Sequence, residues 1–212
     1  MKGWFFWGAF GAATLVTALA CWVGWVFFIH PMDEAVKTAN RLEQRCAAAL
    51  GISPRILANA GVLFAQKSHV EVLVTATRET TVEETFEGQN PSGGDVRVQA
   101  QFFAEAGVFT RAPFQIDVRK GGRLVDADLP QVKILRLEMR DPVVLEPGGT
   151  LWMDLPERLK LRVARSLERL AKQGMVAQGM LETASTELEN RVRAVGVEAG
   201  CEIVFKSQPE AE

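Results

Sequence analysis

Acidic and histidine side chains are the first candidates for chemistry in this chain. Asp126 and Asp128 lie two positions apart in an alternating stretch, so they would share one side of a strand, and two carboxylates can act as a general acid and base. Strands commonly carry such a pair on a solvated face, which is the more frequent explanation. His69 precedes another alternating stretch, without the serine or cysteine neighbourhood that nucleophilic catalysis requires. No catalytic residue is predicted.

The cysteines and glycines are the candidates for metal and cofactor sites. Cys21, Cys46 and Cys201 form no CxxC pair, and two histidines do not complete a zinc or iron–sulfur ligand set with them. The glycine pairs do not occur as GxxxxGKS, GxxxxGKT or GxGxxG, so they indicate turns. We therefore predict no metal and no cofactor. A formal net charge of -2 also argues against a nucleic-acid partner.

Five basic residues form the most regular charge pattern of the chain. They recur every three or four positions, which places them on one face of a helix beside an apolar stripe. This basic stripe consists of Arg158, Arg162, Arg165, Arg169 and Lys172. It could contact anionic lipid headgroups or the acidic surface of a protein partner, although such patterns more often mark a solvated helix face. Within the chain, its natural counterpart is the acidic stretch of Glu79, Glu83, Glu84 and Glu87.

A long apolar segment near the N-terminus precedes all of these candidate residues except Cys21 and would hold the rest of the chain at a membrane. From Gly3 to Ile29 the chain runs for 27 residues without a charge, whereas about 20 apolar residues cross a bilayer core. Tryptophans lie near both ends of this run, where indole rings favour the headgroup zones. We predict a transmembrane anchor over residues 1–31, with the lipid bilayer as a partner through residues 3–29.

A cleaved signal peptide is the alternative explanation of this segment. Ala18-Leu19-Ala20 supplies a cleavage site before Cys21, and that cysteine also raises the possibility of a lipoprotein. Cleavage there would leave eight further uncharged residues, Trp22 to Ile29, at the new N-terminus. The uncleaved anchor is therefore favoured.

The charges that flank the apolar segment predict its orientation. Lys2 and the free amine precede it, while Asp33 and Glu34 follow it, and positive charge tends to stay in the cytoplasm. The remainder of the chain would then lie outside the cytoplasm, at a bacterial inner (plasma) membrane. In that oxidising space Cys46 and Cys201 could form a disulfide, or they could be two separate buried thiols.

The first half of the outer region predicts a helix followed by strands. Apolar residues recur at helical spacing over residues 33–49, and Gly51 is placed to end that helix. The next apolar piece, Ile56 to Phe64, is assigned to a short helix without a clear period. Alternation then begins after His69, and the turn cluster from Asn90 to Asp95 predicts a hairpin. Further strands are predicted at Phe114–Arg119, Arg123–Asp128 and Val132–Met139.

The last third predicts two helices and a closing strand. The first helix begins with Asp154 as its N-cap and closes near Gly174, and the second covers about 175–195 and ends at Gly196. Together they make a helical hairpin, and Cys201 to Phe205 returns to the sheet. The predicted fold is therefore α+β, with an N-terminal transmembrane helix, a mainly antiparallel sheet, a C-terminal helical hairpin and a closing strand.

Three segments of the outer region resemble a known family. They are Phe114-Gln115-Ile116-Asp117-Val118, Leu129-Pro130-Gln131-Val132-Lys133-Ile134-Leu135, and Cys201-Glu202-Ile203-Val204-Phe205 after an Ala- and Leu-rich helical region. This arrangement resembles the bacterial membrane proteins catalogued as domain of unknown function 4230. The resemblance covers most of residues 65–206 and implies an N-terminal transmembrane helix and an envelope location. It implies no activity, cofactor or site residue.

These patterns predict a chain of four segments. They are the anchor at 1–31, a juxtamembrane helical segment at 32–64, one α+β domain at 65–206 and a flexible tail at 207–212. The expected function is that of a membrane-anchored, non-enzymatic envelope protein whose outer domain binds a protein partner or copies of itself. The alternative is a membrane-anchored envelope hydrolase, which would need converging titratable groups in a pocket.

Overall fold

A computed structural model describes residues 17–23, 25, 30–58, 61–68, 70–87, 94–119, 121–145 and 152–206. Residues 17–23 are helical. The helices are α1 (His30–Leu50), α2 (Glu157–Ala177) and α3 (Met180–Ala199), with a 3₁₀ helix at Trp152–Asp154. The strands are β1 (Ile52–Ser53), β2 (Arg55–Ala58), β3 (Gly61–Phe64), β4 (Lys67–Ser68), β5 (Val72–Phe86), β6 (Val96–Phe109), β7 (Gln115–Val118), β8 (Leu124–Asp128), β9 (Lys133–Val144) and β10 (Glu202–Phe205).

The chain forms two compact units, and it passes between them more than once. The first unit comprises Met1–His69, Pro113–Leu129 and Val192–Glu212, and the second comprises Val70–Ala112 and Pro130–Arg191. Each unit has its own sheet and its own buried helix face, so each is described separately.

The first unit is built on a five-stranded sheet of order β10-β8-β7-β2-β3. β2 pairs with β3 and β7 pairs with β8 in antiparallel fashion, while β2/β7 and β8/β10 are parallel pairs. α1 packs against this sheet through residues that recur every three or four positions and are fully or almost fully buried. These residues are Ala35, Ala39, Leu42, Cys46 and Leu50.

The second unit is built on a three-stranded antiparallel sheet of order β5-β6-β9. Strict alternation along β6 buries Val96, Val98, Ala100, Phe102 and Ala104, because one face of the sheet is covered and the other is open. The apolar stripe of α2 fills the covered face and shares one hydrophobic core with these strand residues. It consists of Leu159, Val163, Leu167, Ala171 and Met175.

The coarse fold prediction is confirmed: the protein is α+β, with mainly antiparallel sheets and C-terminal helices. The helix expected at 33–49, the β5/β6 hairpin, the next three strands and the closing strand are all present. The short helix assigned to Ile56–Phe64 is wrong. That segment forms the antiparallel strands β2 and β3, because it pairs within the five-stranded sheet and makes no helix of its own.

The predicted ends of the last two helices are also wrong. Asp154 belongs to the 3₁₀ helix, and Pro156 stands at the N-cap position of α2 without a side-chain hydrogen bond. α2 continues past Gly174 to Ala177, and α3 continues past Gly196 to Ala199. The glycines that follow the helices are Gly179 and Gly200, with φ of 74° and 77°, as a left-handed C-terminal position requires.

Most of the predicted anchor lies outside the described residues, which omit 1–16, 24 and 26–29. Among the residues that are described, no helix is long and apolar enough to cross a membrane. In the described part of the apolar run, Leu19, Trp22, Val23 and Trp25 have exposed fractions of 59%, 61%, 38% and 49%.

Candidate functional site

The basic stripe lies on α2, opposite the face that enters the core. All five of its residues are exposed, as their spacing predicted. Arg169 donates a hydrogen bond to the hydroxyl of Ser166 at 3.2 Å. Within the described part of the chain, no carboxylate lies within ion-pair distance of Arg158, Arg165 or Lys172. Among the described residues, Arg158, Arg165 and Lys172 therefore present positive charge without an ion-pair partner.

Two members of the acidic stretch expected to pair with this stripe form ion pairs within their own sheet, and the pairing of the stretch with the stripe stays a prediction. Alternation along β5 separates the members of the stretch. Glu79 lies 3.6 Å from Arg140 on β9 and Glu83 forms an ion pair with Arg97 on β6, so both are held within the three-stranded sheet. Glu84 accepts a hydrogen bond from Ser166 at 3.0 Å, so this carboxylate reaches α2.

The second oxygen of Glu84 is buried and has no hydrogen-bond partner among the described residues. A buried carboxylate oxygen without a partner costs free energy, so this position is a weak point of the α2–sheet contact. It lies on the covered side of the sheet, where α2 packs. We assign it no binding role.

Asp126, one of the two aspartates that share a face of β8, is held in an ion pair with Arg119. Arg119 donates two hydrogen bonds to Asp126, at 2.7 and 2.6 Å, in the side-by-side geometry that guanidinium and carboxylate groups favour. These hydrogen bonds hold the pKa of Asp126 below its ordinary value, although partial burial opposes them. Asp126 therefore stays ionised, and Asp128 at the end of β8 is exposed. His69 lies outside the described residues.

Cys46 and Cys201 both belong to the first unit, where both are buried free thiols. Burial raises the pKa of Cys46 to about 12, and the nearby Cys201 and Glu43 add to that shift. Burial likewise raises the pKa of Cys201 to about 11. Both thiols are thus neutral near pH 7 and poor nucleophiles. The disulfide between these two thiols stays a prediction.

Two depressions of the surface have the concave form of a ligand site. One, of about 210 Å³, lies on the open face of the three-stranded sheet beside Arg140, whose guanidinium sits 4.6 Å from the centre of the Phe103 ring. It is smaller than the roughly 300–1,000 Å³ of ordinary ligand pockets. The other, of about 520 Å³, is an open groove beside β10 whose lining includes Arg193, Cys201 and Glu202. Its thiol is protonated, so the groove holds no activated nucleophile.

The described residues contain no group of three side chains that could hold a metal ion. Sequence reasoning did miss one surface feature, the exposed apolar hairpin of β2 and β3. The signal was present, because two short apolar runs, Ile56-Leu57 and Val62-Leu63-Phe64, flank the turn-forming Asn59-Ala60-Gly61.

Comparison with protein-family models, with curated proteins and with solved structures finds no match for this chain.

Proposed function

We propose that this chain is a single-pass membrane protein of the bacterial envelope, with its N-terminus in the cytoplasm and residues 30–212 outside it. The folded units serve as a non-enzymatic module that binds an acidic protein surface or assembles with copies of itself. The resemblance to domain of unknown function 4230 agrees with this proposal and is itself still a prediction.

The observation that carries the proposal is the uncharged run from Gly3 to Ile29, which ends one residue before α1 begins. A soluble protein would bury such side chains, yet Trp22 and Trp25 are exposed in the folded chain. A lipid environment would remove this cost, since each buried methylene contributes about 0.8 kcal/mol.

The binding role is supported by the basic stripe. Its charges are exposed, and three of them have no carboxylate within ion-pair distance among the described residues. Surfaces of this kind steer an oppositely charged partner and set its orientation. The non-enzymatic part of the proposal is supported by Asp126, whose carboxylate is occupied by Arg119.

Membrane extraction tests the proposal. The full-length chain should remain with the membranes after washing at alkaline pH, which releases peripheral proteins. A matched variant that lacks residues 3–29 should be recovered in the soluble fraction. Release of the full-length chain by the same wash would contradict the anchor.

A further inference from the structure

The direction of α1 relative to the five-stranded sheet is set by two contacts. Ser53, just before β2, donates a hydrogen bond to Glu43 at 3.0 Å. Gly122, in the turn after β7, packs so closely on α1 that an added Cβ would lie 2.9 Å from the Glu34 carbonyl oxygen. Since β2 and β7 are parallel, α1 runs antiparallel to both. The start of α1 therefore lies at the end of the sheet where β2 and β7 finish.

The β2–β3 hairpin turns at this same end of the first unit. Ala58, the last residue of β2, is the register partner of Val118, the last residue of β7. The chain returns as β3 from Gly61, which lies opposite Ala58. The paired residues Ala58 and Gly61 and the turn containing Gly122 thus lie at the end of the sheet where α1 begins. We call this region the α1 end of the first unit.

The α1 end exposes apolar side chains. Val62 and Leu63 of β3 have exposed fractions of 51% and 40%. They are adjacent and yet both point outward, because the register shifts between Ile56 and Leu57 and leaves Leu63 without a partner on β2. α1 contacts β3 and adds its own exposed residues, Met32 and Val36.

The distance from this end to the apolar run is short. The run ends at Ile29, and Glu34, which packs against Gly122, lies five residues later. If the chain is helical from Ile29 onward, five residues at a rise of 1.5 Å span about 7.5 Å, while the headgroup zone of one leaflet is roughly 5–8 Å thick. An anchor that ends at Ile29 would bring the hairpin to the outer edge of the headgroups.

The geometry points to a second membrane contact: we propose that the β2–β3 hairpin and the first turns of α1 rest in the headgroup zone beside the anchor. The inference rests on the proposed anchor. Val62 and Leu63 would sink among the headgroups, and the outer backbone groups of β3 would stay hydrated there, as they could not in hydrocarbon. A second copy is the weaker candidate occupant, because a bulged strand of four residues is a poor edge for pairing.

Charge gives no reason for this contact to need anionic lipid. Lys37 and Arg123 are exposed at the α1 end, but so are Asp33 and Glu34. The attraction should therefore depend on the apolar side chains and persist in vesicles of zwitterionic phosphatidylcholine.

The test uses the full-length chain in phosphatidylcholine vesicles, with Cys21→Ala to leave only buried native thiols. Val62→Cys carries an environment-sensitive fluorophore, and Lys67→Cys is the control. Lys67 is exposed and pairs with Ser53 beside Glu43, which lies about 20 Å along α1 from His30. The emission of the label at position 62 should lie at shorter wavelength than that of the label at position 67. Lipids that carry a quencher at shallow depth should also quench the label at position 62 more strongly.

Three results would overturn the proposal without touching the anchor, provided the chain still resists alkaline extraction. The first is equal quenching at the two positions. The second is a label at position 62 with the emission it has in water. The third is a blue-shifted label that lipid does not quench, which would assign the hairpin to a protein contact such as a second copy. Loss of the chain from the vesicles on extraction would instead contradict the anchor itself.

Discussion

Gly122 lies directly against the backbone of Glu34, and this contact joins the β7–β8 turn to the first turns of α1. A Cβ on Gly122 would come within 2.9 Å of the Glu34 carbonyl oxygen and 2.6 Å of the Thr38 hydroxyl oxygen. Its φ of 69° also lies in the left-handed region that favours glycine. The contact fixes which end of the first unit adjoins the apolar run.

We expect Gly122→Ala to destabilise the protein much more than Gly121→Ala. Both positions have positive φ, which costs a side chain about 1–2 kcal/mol, but a Cβ at Gly121 would meet nothing within 4 Å. The clash at Gly122 should add roughly 1–3 kcal/mol, as overpacking does. Thermal unfolding of the two variants measures the difference. Equal midpoints would show that α1 does not pack against this turn.

The basic stripe should matter for association more than for folding. Exposed charges contribute about 0–1 kcal/mol to stability, so replacing Arg158, Arg165 and Arg169 by glutamine should leave thermal unfolding nearly unchanged. Binding of residues 30–206 to anionic vesicles, or to a captured acidic partner, should weaken. Wild-type binding should also fall as salt rises, because exposed charges are screened.

A matched variant controls for net charge. Arg55, Arg111 and Lys133 are exposed and lie outside the stripe, so their replacement by glutamine removes the same charge. Binding should be retained in that variant. Equal loss in both variants, or wild-type binding that salt does not affect, would return the stripe to the role of a solvated helix face.

The disulfide predicted for Cys46 and Cys201 has an alternative, two separate buried thiols, and alkylation distinguishes the two. The bond would close a long loop and stabilise the fold by roughly 4–5 kcal/mol in the chain-entropy model, less if it is strained. After unfolding without reductant, neither thiol should react with an alkylating agent, whereas Cys21 should. Alkylation of all three cysteines under these conditions would exclude the bond.

The reduced protein should lose stability at alkaline pH. The pKa of Cys46 rises from 9.0 to about 12 on folding, and that of Cys201 rises to about 11. Above pH 9.0 the unfolded thiols lose protons that the folded thiols keep, so the free energy of unfolding falls as pH rises through this window. Cys46→Ala should flatten this slope between pH 9 and 11. An unchanged slope of the free energy of unfolding against pH would show that the thiols do not cause it.

The sequence predicted those parts of the fold that depend on local periodicity. The helical spacing of Ala39, Leu42 and Cys46 and the alternation along β6 identify a buried face without knowledge of what covers it. The prediction failed where contacts with residues distant in sequence determine the role of a residue. The sequence predicts a helix end at Gly196, but an added Cβ there would lie 2.5 Å from Ile203, so this glycine allows a close approach inside α3.

The exposed face of the candidate site was predictable from the sequence, but the ion pairs around it were not. The stripe on α2 follows from spacing alone, and the structure places all five residues on one exposed face. The partners of Glu79 and Glu83 were not predictable, because they depend on the register of β5 with β6 and of β6 with β9. The division into two units was missed for a related reason. Strands far apart in sequence, β2 and β7, pair in parallel, and no local pattern reports that.

The orientation of the chain in the membrane is the most direct test of the whole account. A reporter enzyme that is active only outside the cytoplasm, fused after Glu212, should be active, and the same reporter should be inactive when Gly3–Ile29 is deleted. Mass spectrometry of the active fusion should find an N-terminus near Met1. An inactive full-length fusion would reverse the orientation, and a mature chain that begins at Cys21 would replace the anchor with a cleaved leader.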